Sequence, residues 1–407
     1  MRILSATIKD FRSIREVSLD LRNRFIIIEG ENDVGKSNIL YALDGALRAI
    51  GWFLLNAVDG PGMSPARQQM PQLWAPDFRQ DNILRAGATK ASVEIVLGFN
   101  AEERSLFAFE DDAEFRAKVT WPGANGATVS DVVELSAGSR PPMEAGRRRE
   151  FALRLARSMR LIGTRRFPES ESFNPHSDEE PLPHWQGRNL KKMLFAYKNH
   201  SSPEVQARFE QLVQVCADPD LSIGHLSVGI EKSELFARTR KGNQTLRLED
   251  RSSGTQQVIF LLALCLCHEG TIVGIEEPEL NLSTRLQRDV WTKLRALVEA
   301  SDSLEQVMIT SHSPVFEAEA ERITVTRDSD GFTAAEARRA EEVADDTRPL
   351  TVARGGVITL PAETLQRLAI PPDKTGKVFL DESADGIRLL SPDQFAKMLA
   401  GTARGIK

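Results

Sequence analysis

A glycine-rich loop between an apolar strand and an apolar helix constrains the fold of this chain more than any other feature. Residues 30–37 read Gly-Glu-Asn-Asp-Val-Gly-Lys-Ser, which fits the pattern G-x-x-x-x-G-K-[ST] of loops whose backbone amides hold phosphates. Residues 25–28 before the loop have the composition of a buried strand, and the apolar spacing over 38–50 predicts a helix. Because the pattern requires this context, the sequence predicts an α/β fold with a nucleotide phosphate site.

The composition is that of an ordinary globular chain, with 41% hydrophobic and 27% charged residues among 407. The length predicts two or three domains. In the second half of the chain, the patterns predict an antiparallel hairpin pair over 226–248 and a helix over 280–299. No apolar stretch reaches the roughly 18 residues that a membrane span requires. The three cysteines, Cys216, Cys265 and Cys267, form no paired set and read as buried reduced thiols. We therefore expect a cytoplasmic protein with no membrane partner.

The phosphate loop predicts specific ligands for ATP and Mg²⁺. Lys36 places a positive charge against the β- and γ-phosphates, while the loop amides cradle them. Ser37 supplies a hydroxyl for Mg²⁺. The residues that we expect to bind the nucleotide around this loop are Gly30, Asn32, Gly35, Lys36, Ser37 and Asn38.

Two adjacent acids follow a second predicted strand, at 271–275. Glu276 ends that strand, so its carboxylate can reach Mg²⁺ through water. Glu277 is one residue on, points differently, and is placed to polarise an attacking water. Beside a phosphate loop we favour this interpretation over a pair of surface acids.

Two further segments complete the pattern. Ser252, Ser253 and Gly254 precede an apolar helix, where a hydroxyl and helix N-terminal amides make an anion site; the alternative is an ordinary serine N-cap. His312 follows a predicted strand at 306–310, where it can contact a γ-phosphate. The alternative for His312 is a purely structural histidine.

In this order the four segments resemble the ABC-type ATPase heads of the SMC, RecF and OLD families. OLD-like and RecF-like bacterial ATPases share the opening Ile-Lys-Asp-Phe-Arg-Ser-Ile at 8–14 and Glu-Glu-Pro-Glu-Leu at 276–280. The resemblance implies a P-loop NTPase of ABC-ATPase type over 1–335, with an inserted helical lobe at about 100–225. It also implies ATP hydrolysis to ADP and phosphate, with Glu277 and His312 catalytic.

The same resemblance implies a head-to-head homodimer or higher oligomer. Each ATP would lie between the Lys36 loop of one chain and the Ser252–Gly254 segment of the other. Residues 281–284, Asn-Leu-Ser-Thr, depart from the histidines and proline that relatives carry there. Arg165 follows a predicted strand at 161–162, where OLD-like heads have an arginine, and is a candidate nucleotide sensor.

OLD proteins also carry a Toprim nuclease, which needs an Asp-x-Asp. Residues 328–331, Asp-Ser-Asp-Gly, contain one, but they read as a turn between two strands. Because little chain follows, we expect no nuclease in this chain.

The C-terminal part has a different character. Residues 336–351 are charged and alanine-rich, which predicts a linker. Residues 352–407 resemble AbrB-like swapped-hairpin domains, on the segments 356–361 and 376–380 and a hairpin at Asp385-Gly386. The resemblance implies a small β-rich domain that dimerises and that could also contact DNA. A generic β-appendage is the alternative.

One basic stretch interrupts a net charge of −6: residues 140–166 hold nine arginines against two glutamates. It could contact nucleic-acid phosphates, or form the wet face of a helix with Phe151, Leu153 and Leu155 inward. Both interpretations remain open.

Together these features predict an ATP-hydrolysing switch that dimerises around ATP. It would control DNA binding or a separate effector protein, such as a nuclease or toxin, in anti-phage defence or DNA repair. The alternative is an AbrB-like DNA-binding regulator whose oligomeric state ATP tunes. A transporter ATPase is disfavoured because the sequence shows no glutamine loop.

Overall fold

A computed structural model describes most of the chain, which divides into two compact units, 1–342 and 343–407. The described residues are 1–56, 83–107, 109, 114–122, 132–135, 145–164, 190–219, 221, 223–228, 235–238, 245–267, 270–300, 304–313, 321–338, 352–353, 357–358, 379–383 and 386–390.

The strands follow in chain order. They are β1 (Arg2–Phe11), β2 (Ile14–Asp20), β3 (Phe25–Glu29), β4 (Lys90–Gly98), β5 (Phe115–Pro122), β6 (Val132–Leu135), β7 (Met159–Ile162), β8 (His225–Val228), β9 (Leu235–Arg238), β10 (Thr245–Arg247), β11 (Ile272–Glu276), β12 (Gln306–Ser311), β13 (Glu321–Arg327), β14 (Thr333–Arg338), β15 (Val352–Ala353), β16 (Val357–Ile358), β17 (Phe379–Ser383) and β18 (Gly386–Leu390).

The helices are α1 (Lys36–Asn56), α2 (Ala101–Phe107), α3 (Ala145–Ala156), α4 (Leu190–Lys198), α5 (Pro203–Cys216), α6 (Ser253–Leu266) and α7 (Thr284–Ala300). By length and composition alone, the Lys36–Leu55 part of α1 could cross a membrane. However, 67% of that window is buried inside the fold, as expected of a core helix.

Eleven strands form one sheet, in the order β6-β5-β4-β1-β2-β14-β13-β3-β12-β11-β7. The neighbours β3, β12, β11 and β7 run parallel, whereas β1, β2, β4, β5 and β6 pair antiparallel. The register pairs Glu29 with Ser311 and Thr310 with Glu276. The carboxyl ends of β3, β12 and β11 therefore lie at one edge, where open α/β sheets bind ligands.

Two hydrophobic cores cover the two faces of the parallel strands. Side chains alternate along β3, so Ile26 and Ile28 pack in one core with residues of α1 and α3, and Ile27 packs in the other with residues of α4 to α7. Strands buried on both faces are apolar throughout, as the predicted strand at 25–28 is.

Several sequence predictions differ from the observed elements. Helix α1 extends to Asn56, beyond the predicted end at 50. Helix α7 begins at Thr284, whereas a helix from 280 was predicted, because 278–281 form a turn in which Asn281 has φ 59°. The predicted hairpin over 226–248 is a three-stranded sheet, β8 to β10. Within 100–225, β5, β6 and β7 lie in the main sheet beside the helices of that range.

The three cysteines are free and buried, as predicted. Burial raises the pKa of Cys216 and of Cys267 to about 12, so both are inert thiols at neutral pH. Among the described residues, no cluster of three or more His, Cys, Asp or Glu side chains could hold a metal ion.

Helix α3 carries much of the arginine-rich stretch. Phe151 and Leu155 are fully buried, while Arg147, Arg149 and Arg154 are exposed. The inward-facing apolar stripe is therefore confirmed for these two residues. Contact of the arginines with phosphates stays a prediction.

In the second unit, the described residues form two antiparallel pairs. Strand β15 pairs with β16, and β17 pairs with β18 with Ser383 opposite Gly386. Residues 336–338 belong to β14 and pair with β13, so the linker predicted at 336–351 does not begin before 339. The rest of that linker and the likeness to AbrB stay predictions.

Candidate nucleotide site

The phosphate loop leaves β3 and enters α1 through backbone that few residues adopt. Gly30, Asp33 and Gly35 have φ of 155°, 67° and 101°. Aspartate tolerates the left-handed conformation better than most residues. When residues with positive φ alternate with residues of negative φ in a loop, successive backbone N–H groups can point into one concave anion site.

The side chain of Lys36 lies buried within this loop. Its Nζ donates to the carbonyl of Gly30 at 2.9 Å and to that of Glu31 at 2.7 Å. Burial lowers the pKa of Lys36 from its ordinary value, and the nearby Glu277 and Glu279 carboxylates act in the opposite direction. Only loop carbonyls are hydrogen-bonded to this ammonium in the described contacts, so a phosphate would be a stronger partner.

A hydrogen-bonded brace supports the back of the loop. Thr333 Oγ1 donates to the carbonyl of Val34 at 2.8 Å and lies 2.7 Å from Ser13 Oγ. Asn38 Nδ2 donates to the same Ser13 hydroxyl at 2.9 Å. A Cβ on Gly35 would lie 2.3 Å from Thr333 Oγ1 and 2.6 Å from Ser13 Oγ. The brace therefore requires glycine at this position, for space as well as for φ.

Gly35→Ala should lower the free energy of unfolding by about 2–4 kcal/mol, because left-handed strain adds to overpacking. Denaturant unfolding measures the loss. Gly331→Ala is the matched control, since Gly331 has φ 82° with nothing within 4 Å of its added Cβ. That control should lose only about 1 kcal/mol. Equal losses in the two variants would show that the brace does not crowd Gly35.

The two acids after β11 leave the strand in different directions. Glu276 is its last residue and is 4% exposed. Its side chain shares the face of Gly274, whose added Cβ would lie 3.5 Å from Leu40 of α1. Glu277 has φ 43°, its amide donates to the Thr310 carbonyl at 2.8 Å, and its side chain is half-buried. One carboxylate thus faces α1 and the other follows a turn.

A third acid, which the sequence analysis did not assign, holds the histidine. Glu279 Oε1 accepts from the Ser311 hydroxyl at 2.8 Å and from the His312 amide at 2.9 Å, and lies 3.1 Å from His312 Nδ1. Glu279 is 5% exposed, whereas the His312 side chain is 45% exposed. The buried carboxylate therefore fixes the ring by Nδ1 and leaves Nε2 directed away from it. The sequence signal that could have identified Glu279 is its place in Glu-Pro-Glu at 277–279, two residues after the predicted water-polarising acid.

The Ser-Ser-Gly segment forms the start of α6. Ser252 caps the helix, its hydroxyl accepting from the Thr255 amide at 3.3 Å. Ser252 and Ser253 are both exposed, and Gly254 lies under the turn after Glu277, its added Cβ 3.0 Å from the Asn281 carbonyl. The N-cap interpretation is confirmed for Ser252. An exposed helix N-terminus remains available beside it.

Arg165 and the Asp-x-Asp at 328–330 are the two remaining candidates from the sequence. Arg165 lies outside the described residues; the strand predicted before it is the end of β7, paired with β11. The Asp-x-Asp at 328–330 is a turn between β13 and β14, because Asp328 Oδ1 accepts from the Asp330 amide at 3.0 Å and the Phe332 amide at 2.9 Å. The expected turn is confirmed.

A protein-family model described as "AAA domain, putative AbiEii toxin, Type IV TA system" matches residues 25–318. This span holds the phosphate loop, both acids and His312.

Curated relatives match a smaller part. The macrolide export ATP-binding/permease protein MacB of Shigella boydii is 27% identical over 150 residues, 35% of this chain and 23% of MacB. MacB of Escherichia coli K12 is 28% identical over 130 residues, 30% of this chain and 20% of MacB. The chain thus spans about a quarter or less of these relatives.

Solved structures of SMC heads share the fold. An SMC head bound to the C-winged helix domain of ScpA aligns with TM-score 0.53 and 19% identity, covering 84% of this chain and 99% of that one. An SMC head with an extended coiled coil, bound to the C-terminal domain of ScpA from Pyrococcus furiosus, aligns with TM-score 0.51 and 16% identity, covering 84% and 97%. The predicted P-loop NTPase fold of ABC-ATPase type is confirmed.

Proposed function

Since the chain belongs to the family of AAA domains that its matching model describes, we propose that it is an ATP-hydrolysing switch in which two copies close around ATP. The reaction is ATP and water to ADP and phosphate. Hydrolysis would reopen the pair.

The observation that carries this proposal is the meeting of four groups at one sheet edge. Lys36 lies in the loop and helix after β3, Glu276 ends β11 and Glu277 follows it. His312 follows β12, which lies between those two strands. Burial lowers the pKa of Lys36, and the Glu277 carboxylate is near enough to act on that pKa in the opposite direction. An ammonium, two acids and a histidine are what phosphoryl transfer to water requires.

The described residues also suit Mg²⁺, which prefers oxygen ligands and keeps several waters. Ser37 and Glu276 would hold it: Ser37 lies in the first turn of α1, and the buried Glu276 carboxylate faces the same helix. When bound, the ion would neutralise charge on the phosphates.

Glu277 and His312 would have different roles at the γ-phosphate group. Glu277 would orient and polarise the attacking water. His312, fixed at Nδ1 by Glu279, would contact a γ-phosphate oxygen with Nε2, which needs a hydrogen there to donate. The buried Glu279 carboxylate compensates the positive charge of a ring that carries both hydrogens.

A second copy would contribute the Ser252–Gly254 segment. The exposed N-terminus of α6 carries the partial positive charge and amides that favour a phosphate. Ser252 is occupied as the N-cap, so Ser253, the exposed first residue of α6, is the better candidate for a phosphate of the partner.

Ser253→Glu tests this arrangement. A carboxylate in the first turn favours the helix, so the unfolding midpoint should stay or rise. The same charge would repel the partner's γ-phosphate, so ATP-dependent dimerisation should weaken by at least about tenfold. Sedimentation with Mg²⁺ and non-hydrolysable ATP measures it.

Ser253→Ala is the matched control and should dimerise within about threefold of the unsubstituted chain, since it keeps the helix amides. If Ser253→Glu dimerises with ATP as well as Ser253→Ala does, the segment does not face a partner's phosphate.

Closure of the dimer would act on something outside the ATP site. The family description names a putative toxin of a type IV toxin–antitoxin system, which supports a role for this chain in such a system. Control of a separate effector, a nuclease or toxin, in anti-phage defence stays a prediction from the sequence. DNA repair, cytoplasmic location and DNA binding by an AbrB-like tail stay predictions from the sequence. In the alternative function the tail binds DNA, and the described part of that tail consists of two antiparallel strand pairs. Loss of DNA binding on deleting 351–407, with ATP hydrolysis retained, would support that alternative; unchanged DNA binding would contradict it.

A further inference from the structure

Thr310 carries a buried hydroxyl that no described residue satisfies. The side chain is fully buried, and its Oγ1 has no hydrogen-bond partner within the described part of the chain. Burying a hydroxyl without a partner is unfavourable, and most buried polar groups in folded proteins are paired. Valine has nearly the same shape and would avoid this penalty. The presence of a hydroxyl here is therefore best explained by a bound ligand that is its hydrogen-bond partner.

The strand geometry shows which way this side chain faces. Along β12, Met308 packs in the core that contains α1, and Ile309 packs in the opposite core. Because side chains alternate along a strand, Thr310 shares the face of Met308. It is therefore on the α1 side of the sheet.

The register places Thr310 between two parts of the candidate site. Thr310 pairs with Glu276 on β11 and with Ile28 on β3. Partners across parallel strands have side chains on the same face. Glu276 and Thr310 are therefore neighbours on the face that α1 covers, at the strand ends where α1 begins with Lys36 and Ser37.

We propose that the Thr310 hydroxyl is a third oxygen of the magnesium site, bound to a water of the metal beside Glu276. Mg²⁺ keeps several waters, and groups that hold those waters orient the ion. The inference rests on the proposed function and extends the metal site by one residue.

Thr310→Val removes the hydroxyl and keeps the shape. ATP affinity in Mg²⁺ should fall about 10- to 100-fold, the usual effect of losing an outer metal contact. ATP affinity in EDTA should stay within about twofold, because the hydroxyl does not touch the phosphates in this arrangement. The unfolding midpoint without nucleotide should stay or rise, since an unsatisfied group is removed. Fluorescent-ATP titration and thermal unfolding measure these.

Thr310→Ser keeps the hydroxyl and should retain the Mg²⁺-dependent affinity. Thr326→Val is the matched control, because Thr326 is an exposed strand threonine on β13, and it should change neither affinity.

Three outcomes would overturn the inference. Equal weakening with Mg²⁺ and with EDTA would assign the hydroxyl to the phosphates or the fold. If Thr310→Val keeps the ATP affinity of the unsubstituted chain both in Mg²⁺ and in EDTA, the hydroxyl does not help to bind the metal. A clear fall in the unfolding midpoint of Thr310→Val would show that the hydroxyl has a structural partner. If the unsubstituted chain itself binds no Mg²⁺–ATP, the proposed function fails; if it binds and Thr310→Val binds equally, only this inference does.

Discussion

Lys36→Ala is expected to abolish ATP turnover and to weaken ATP binding by at least about 100-fold, the scale of losing a charged group aimed at transferring phosphates. Lys36 is the one cation that the phosphate loop itself supplies. Its ammonium already lies buried at the loop, bonded to the carbonyls of Gly30 and Glu31. Phosphates would exchange these neutral acceptors for charged ones. Phosphate release and fluorescent-ATP titration measure the two losses.

The same variant should be no less stable than the unsubstituted chain when nucleotide is absent. Burial lowers the pKa of Lys36, which means that the folded state disfavours the charged form relative to the unfolded state. Stability from this group therefore increases as pH rises through the lowered folded pKa toward the ordinary value near 10.5. Removing the charge removes that penalty at neutral pH.

Lys9→Ala is the control, because Lys9 forms an exposed ion pair with Glu16 at 2.6 Å and such pairs contribute little. It should leave turnover unchanged. Turnover at the unsubstituted rate in Lys36→Ala would contradict the assignment of the loop.

Glu277→Gln is expected to lower the rate of ATP hydrolysis by about 10²–10⁴-fold, the usual contribution of a general base, and to leave ATP binding intact. The amide keeps the size of the side chain but cannot take a proton from water. The backbone turn, held by the bond from the Glu277 amide to the Thr310 carbonyl, does not depend on the carboxylate.

If closure needs ATP and reopening needs hydrolysis, this variant should accumulate as an ATP-bound dimer. Sedimentation of this variant without the tail at 351–407, which is itself expected to dimerise, should then show twice the monomer mass with Mg²⁺ and ATP, and the monomer without nucleotide. Glu31→Gln is the matched control, since Glu31 is exposed and accepts from Lys36 Nζ with its backbone carbonyl. A Glu277→Gln chain that stays monomeric with ATP, while hydrolysing none, would contradict the two-chain site.

The closed variant also serves as bait. We would compare the proteins that co-purify with Glu277→Gln in ATP and with Lys36→Ala. A protein recovered only with Glu277→Gln would be a partner that binds the closed dimer. Recovery with both variants alike would contradict ATP control of that partner.

Local sequence was sufficient for the parts of the site that are contiguous in the chain. The phosphate loop, its strand and its helix depend on neighbouring residues, because apolar periodicity and glycine positions act over a few residues. The same holds for the strand that delivers Glu276. The turn over 278–281 was mistaken for helix because apolar spacing continues through it, while the left-handed Asn281 leaves no periodic signal.

Contacts between distant segments could not be read in this way. Thr333 braces the loop from 299 residues away along the chain, and Glu279 holds His312 from 33 residues away. Both contacts depend on the order of strands in the sheet, which cannot be derived from the spacing of residues along the chain. The sequence by itself determined that the chain has a phosphate loop, two acids after a buried strand and a histidine after another. Only the tertiary structure decided that β12 lies between β3 and β11, because hydrogen-bonded register, set by packing across the whole sheet, brings Glu276, Thr310 and the start of α1 to one face.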